Sequence, residues 1–165
     1  MEVVSSAAFT INQEWISRIK KLARLHPEHK YRTCFHSKDD DVVHEMLIAH
    51  TNDTYVRPHR HRLHRESLHI VEGKATVVLF TNEGGIDTIW KVGDISTGRP
   101  FFYSLDAQIF HTLVVETPDI IFKETTQGPF VGSDQQFPDW APSGFDGNSG
   151  IEYLRGIRSA ISEMG

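Results

Sequence analysis

The sequence has a single cysteine, Cys34, in 165 residues. That excludes an internal disulfide and any zinc site built on paired cysteines. Cys34 itself reads as a small, reduced, partly buried side chain. There is no excess of positive charge: 17 Lys and Arg stand against 22 Asp and Glu, for a net charge of −5. A generic nucleic-acid binder carries the opposite balance. No apolar run approaches the ~20 residues of a membrane-spanning helix. The opening MEVVSSAAFTINQEW lacks a basic n-region and a long apolar stretch, so the expectation is a cytoplasmic protein without a signal peptide. What remains is ordinary for a globular domain, with 39% hydrophobic and 24% charged residues, which suits one domain spanning 1–165. Histidine is the exception. There are ten, and RPHRHRLHRESLH (57–69) packs four of them among four arginines.

Along the chain, Trp15, Ile16, Ile19, Leu22, Ala23 and Leu25 recur at spacings of three and four. They predict an amphipathic helix over about 12–25, with Asn12 as N-cap and Pro27 beyond its end. From Val42 the pattern changes to short runs rich in β-branched and aromatic residues: VVHEMLIAH, TYVRPHRH, ESLHIVEG, KATVVLFT, GIDTIWKV, DAQIFHTLVVE and DIIFKET. Turn signals separate them, and NEGG (82–85) reads as the turn of a hairpin joining 74–81 to 86–92. The expectation is an all-β sandwich or barrel with its core at about 42–126. The extension over 128–165 begins as a Pro- and Gly-rich loop pinned by Phe130, Phe137, Trp140 and Phe145. It ends in a short helix carrying Ile151, Leu154, Ile157 and Ile161.

In a strand, residues i and i+2 share a face. His59 and His61 therefore project together, with Tyr55 and Arg57 on the same side and Arg60 and Arg62 on the other. A His-x-His pair alone is a weak signal, expected by chance about 0.6 times in a chain with this histidine content. Requiring a Glu after four further residues (Glu66) and a Gly after six more (Gly73) lowers that to roughly 0.003. The spacing also has a mechanical sense. Residues 62–65 turn the chain so that Glu66 opens the next strand beside the two imidazoles, and Gly73 ends that strand in a turn. His69 has the opposite parity to Glu66 and reads as structural. His64 falls in the turn. His44 and His50 flank EMLIA as ordinary strand histidines, since HEMLIAH is not H-E-x-x-H. Alternation splits the arginines between two faces, which again speaks against a nucleic-acid surface.

PHRHRLHRESLHIVEG resembles the first cupin motif, H-x-H-(x)3–4-E-(x)6-G. DTYVRPHRH, FKETTQGPF and the trailing WAP are similar to the WbuC family, cupin-fold metalloproteins associated with O-antigen and surface-polysaccharide gene clusters. The likeness runs from about Tyr31 to Pro142. It implies a double-stranded β-helix, or jelly roll, with a short N-terminal helix and a C-terminal loop plus helix. It also implies a divalent metal on His59, His61, Glu66 and His111, the last from a second motif in LDAQIFHTLVV. Imidazole and carboxylate ligands suit Fe, Mn, Ni, Zn or Co. Arg57, Tyr55, Arg99 and Tyr103 are candidates for binding a small anionic or sugar-like substrate, and Glu124 for carrying a proton. The resemblance favours isomerase- or epimerase-like chemistry on a sugar or sugar nucleotide. A dioxygenase acting on a small acid and a non-catalytic carbohydrate-binding module are the alternatives. A homodimer is expected, without nucleic-acid or membrane partners.

Overall fold

A computed structural model describes residues 1–4, 6, 8–144 and 148–164. The fold is an all-β jelly roll flanked by two helices, in the element order β1 (Glu2–Val3), α1 (Gln13–Leu25), β2 (Lys30–Cys34), β3 (Val43–Thr51), β4 (Arg60–His61), β5 (Glu66–Glu72), β6 (Lys74–Phe80), β7 (Ile86–Gly93), β8 (Phe102–Leu105), β9 (Phe110–Val115), β10 (Asp119–Gln127), β11 (Gln135–Gln136) and α2 (Ser149–Met164). Six strands form one sheet in the order β1-β2-β3-β10-β5-β8. Three form the other, β7-β6-β9, and β4 pairs with β11 in a separate ribbon.

Strand alternation builds the core. Ile120 and Phe122 of β10 point inward with Met46, Ile48, Leu68 and Ile70, and meet Ala75, Val77, Leu79, Leu113 and Val115 of the smaller sheet. The same parity carries Glu124 and Glu66 to the inner face. Ile121, Leu47 and Ala49 point the other way and are covered by Ile16, Ile19 and Ala23 of α1. Burying each isoleucine contributes about 1.5–3 kcal/mol. Asn12 caps α1 as expected, accepting the Trp15 amide at 3.0 Å. Arg24 and Lys20 tie the helix to Asp119 and Glu72 of the sheet beneath. α2 covers the outer face of the smaller sheet, setting Leu154 and Ile157 against Val78, Phe80, Phe110 and Val114.

The β6–β7 hairpin turns at NEGG, where Thr81 N donates to Gly85 O at 2.9 Å. Gly73 joins β5 to β6 at φ +95°, and a Cβ there would lie 2.6 Å from Asp119 O. Only glycine tolerates both conditions.

Two expectations need correction. TYVRPHRH is not a continuous strand: Arg60–His61 pair with β11, His59 makes a bridge to His111, and residues 54–58 belong to no strand. Pro58 has no amide to donate to a ladder. β2 and β8 went unanticipated, because KYRTC and FYSL carry only a short, weak β signal. In the C-terminal loop, Trp140 is pinned as expected, packing on Phe80 and Phe110 at ring separations of 5.1 and 5.8 Å. Phe130 is 56% exposed, and its segment is held instead by its amide, which donates to Asp39 O. Phe145 lies outside the described residues.

Candidate metal centre

His59 and His111 face each other across an antiparallel bridge. His59 N donates to His111 O at 3.1 Å, and His111 N to His59 O at 2.9 Å. Their rings lie 4.5 Å apart, and His59 and His61 sit 5.5 Å apart edge to face. Glu66 enters from the start of β5, buried at 5% exposure. Its Oε1 lies 2.7 Å from His111 Nε2, and its Oε2 lies 3.2 Å from His61 Nε2. One ligand atom from each of His59, Glu66 and His111 falls within 4.8 Å of the others. His61 touches Glu66 but stands outside that tight set.

The Nδ1 side of these rings explains their orientation. His59 Nδ1 is 2.9 Å from Arg57 O, and His111 Nδ1 is 2.9 Å from Ile109 O. A carbonyl only accepts, so each Nδ1 carries a proton; that leaves Nε2 of neutral His59 with a free lone pair, while Nε2 of His111 faces the Glu66 carboxylate and shares a proton with it. Anchoring the far nitrogen in this way is how proteins orient metal-binding imidazoles. His61 Nδ1 lies 3.4 Å from Asp134 Oδ2, where a carboxylate takes the carbonyl's place.

Burial lowers the His59 pKa to about 4, assisted by the charge on His111, so its nitrogen is free of a proton at neutral pH. Burial also opposes charge on His111 and Glu66, but their mutual attraction outweighs it: His111 is raised and Glu66 lowered. His61 is raised by its hydrogen bond to Glu66. The set is thus an anionic carboxylate among imidazoles, with a proton between Glu66 and His111 where a cation would otherwise sit. Two nitrogens and a carboxylate oxygen already this close suit an ion that holds its ligands at about 2.0–2.2 Å, and the donor set fits a divalent metal.

Glu124 lies on the same inner face of the sheet, between Met46 and Leu68. Burial, then the Glu66 charge, pushes its pKa up to about 7. Tyr103 is buried and raised well above the usual tyrosine value, first by burial and then by Glu66 and Glu124. Both are therefore brought to the cluster.

Tyr55 and Arg99 are not. The Tyr55 ring packs beside Tyr153 under α2, and its hydroxyl donates to Pro142 O at 2.9 Å. Arg99 binds Glu116 at 2.8 Å and lines a cleft of about 490 Å³ with Thr76, Lys91, Val114 and Arg158. Thr76 and Val114 face the opposite side of the small sheet from His111. Arg57 donates to Ala141 O and Pro138 O and lies 4.7 Å over the Phe137 ring, so its charge holds the C-terminal loop. Arg60 stacks on the Phe110 ring at 4.5 Å. His69 does face outward, and Arg65 pairs with Asp106 rather than with Glu66. Two residues at the site were not anticipated. Phe137 places its ring 6.2 Å from His59, and Asp134 touches His61. Both come from a loop more than 70 residues away in sequence, and no local pattern links them to His61.

Among solved structures, protein SO0799 from Shewanella oneidensis is similar at 11% identity and a TM-score of 0.55, over 68% of this chain and 75% of that one. The capsular polysaccharide assembling protein CapF from Staphylococcus aureus is similar at 15% identity and a TM-score of 0.52. That match covers 65% of this chain and only 29% of CapF. With the two-sheet topology above, these likenesses decide the architecture. The chain has the cupin fold. Residues 11–92 also match a family model described as a domain of unknown function (DUF6016). That stretch of the chain contains His59, His61 and Glu66 but stops short of His111. No curated protein matches the sequence. No helix among the described residues is long and apolar enough to cross a membrane.

Proposed function

We propose that this cupin is a divalent-metal protein, with His59, His61, Glu66 and His111 as ligands, that acts on a sugar or sugar nucleotide in surface-polysaccharide synthesis. The observation that carries the metal is the convergence of His59, Glu66 and His111, with the imidazoles held from behind by backbone carbonyls. The substrate class rests on the resemblance to WbuC proteins. A bound metal would supply Lewis-acid polarisation of a carbonyl or hydroxyl oxygen.

The chain's own residues have distinct parts in this reading. Glu124, with its pKa at about 7, holds or releases a proton at its carboxyl oxygen near neutral pH, as an isomerase or epimerase step requires. Tyr103 offers a hydroxyl that stays protonated. Phe137 is 44% exposed beside His59 and backed by Arg57, and it offers a flat apolar face to a sugar or base ring. The unit is a single domain over 1–165 that pairs as a homodimer.

The test is metal analysis of purified protein combined with thermal melts in Fe, Mn, Ni, Zn or Co and a panel of nucleotide sugars. At a metal concentration 100 times Kd, binding adds about 2.7 kcal/mol. That corresponds to a Tm rise of roughly 5–11 °C for a domain of this size. His59→Ala and His111→Ala should each abolish the rise. If no cation moves the Tm of the wild-type protein, the metal reading fails; if metal binds but no sugar is bound or turned over, the substrate class fails.

A further inference from the structure

Asp134 is a buried carboxylate, 7% exposed, on the turn that leads into β11. One of its oxygens serves the local backbone, since Oδ1 accepts the Leu63 amide at 2.9 Å. The main chain helps, with Arg62 N donating to Asp134 O at 2.9 Å and Asp134 N to Val131 O at 2.7 Å. Capping the 61–64 turn needs one oxygen, and an asparagine would serve as well. The second oxygen has no such explanation. Oδ2 lies 3.4 Å from His61 Nδ1 and 3.5 Å from His64 Nδ1. A buried carboxylate is costly unless it is compensated, and these two imidazoles are the groups placed to compensate it.

We infer that Asp134 is a positioning residue for the metal centre: its Oδ2 holds the Nδ1–H of His61 so that Nε2 faces Glu66, and it recruits His64 as a second imidazole on the same oxygen. This rests on the metal reading above. It makes His61 unlike its two partners. His59 and His111 are held by neutral carbonyls, whereas His61 is held by a full charge, which raises the basicity of its outer nitrogen and strengthens it as a ligand. It also accounts for the inward turn of His64. The metal affinity becomes tied to the docking of the 131–136 segment, which the barrel itself does not contain.

Asp134→Asn tests this, since it keeps an oxygen for Leu63 N and replaces only the oxygen facing the imidazoles. Zinc affinity is measured by chelator competition, alongside urea unfolding of the metal-free protein. The expected result is zinc binding weakened about 10- to 100-fold, with a folded, cooperative apoprotein. In the zinc-loaded wild type, NMR should show a His61 Nδ1–H proton protected from solvent exchange, and a merely structural turn residue would not produce it. Unchanged zinc affinity in a folded Asp134→Asn protein overturns the inference, and so does a solvent-exchanging His61 Nδ1–H in the wild type if the variant fails to fold. A wild-type protein that binds no zinc or other divalent cation overturns the metal reading itself, which is a separate outcome.

Discussion

His50 should make the protein acid-sensitive, independently of the metal site. It lies on β3 inside the barrel at 8% exposure, edge-on to Phe122 with ring centroids 5.2 Å apart. Its Nδ1 has no hydrogen-bond partner among the described residues. Burial, helped by Lys30, lowers its pKa to about 3. In the unfolded chain a histidine takes a proton near pH 6.5, so below that pH the unfolded state binds a proton that the folded state refuses. Stability therefore falls as pH drops from 6.5 toward 3, and between pH 7.5 and 5.0 the loss is about 2 kcal/mol. His59, lowered to about 4, contributes in the same direction in metal-free protein. The comparison with His50→Leu isolates the first term. Urea unfolding in chelator at the two pH values should show the wild-type midpoint falling about 1 M further than that of the variant, for a slope of roughly 2 kcal/mol/M. At pH 7.5 the variant should be at least as stable, because it removes an orphaned buried nitrogen worth about 1–3 kcal/mol. Equal pH dependence in the two proteins would refute the reasoning.

Two further outcomes follow from the geometry. Gly73→Ala should destabilise the domain by about 3 kcal/mol or more, since it combines an unfavourable positive φ with a backbone oxygen at 2.6 Å; thermal and urea melts would read it, and a shift under 1 kcal/mol would mean that the β5–β6 turn relaxes freely. On the proposed function, Glu124→Gln should retain metal but lose turnover at least 100-fold, and the pH profile of turnover by the wild-type protein should show an inflection near 7 that the variant lacks.

Much of this was legible in the sequence, for physical reasons that differ by element. Asn12 and the apolar spacing behind it define α1 because helix signals are local. His59, His61, Glu66 and Gly73 lie within 15 residues, so parity and turn chemistry place them together. His111 came only through the cupin resemblance, although its bridge to His59 is what draws the two rings together. The fate of Tyr55, Arg57 and Arg99 was hidden, because each is decided by a distant backbone carbonyl or carboxylate that periodicity does not encode. Asp134 was silent for the same reason: a single acid in a loop carries no pattern.

The stretch from 54 to 64 that carries His59 and His61 is bonded chiefly to chain made much later. Tyr55, Arg57, Arg60 and Leu63 bond to residues 87, 84, 76 and 71 positions away. The β6–β7 hairpin, by contrast, closes across five residues. Loops that long close at a higher entropic cost and cannot close before the later chain exists. The barrel can therefore assemble around its hairpins while the stretch from 54 to 64 is still open at its mouth. His59 and His61 would then be among the last residues to gain order and the first to lose it, whereas Glu66 and His111 are already set in place by the sheets through β5 and β9.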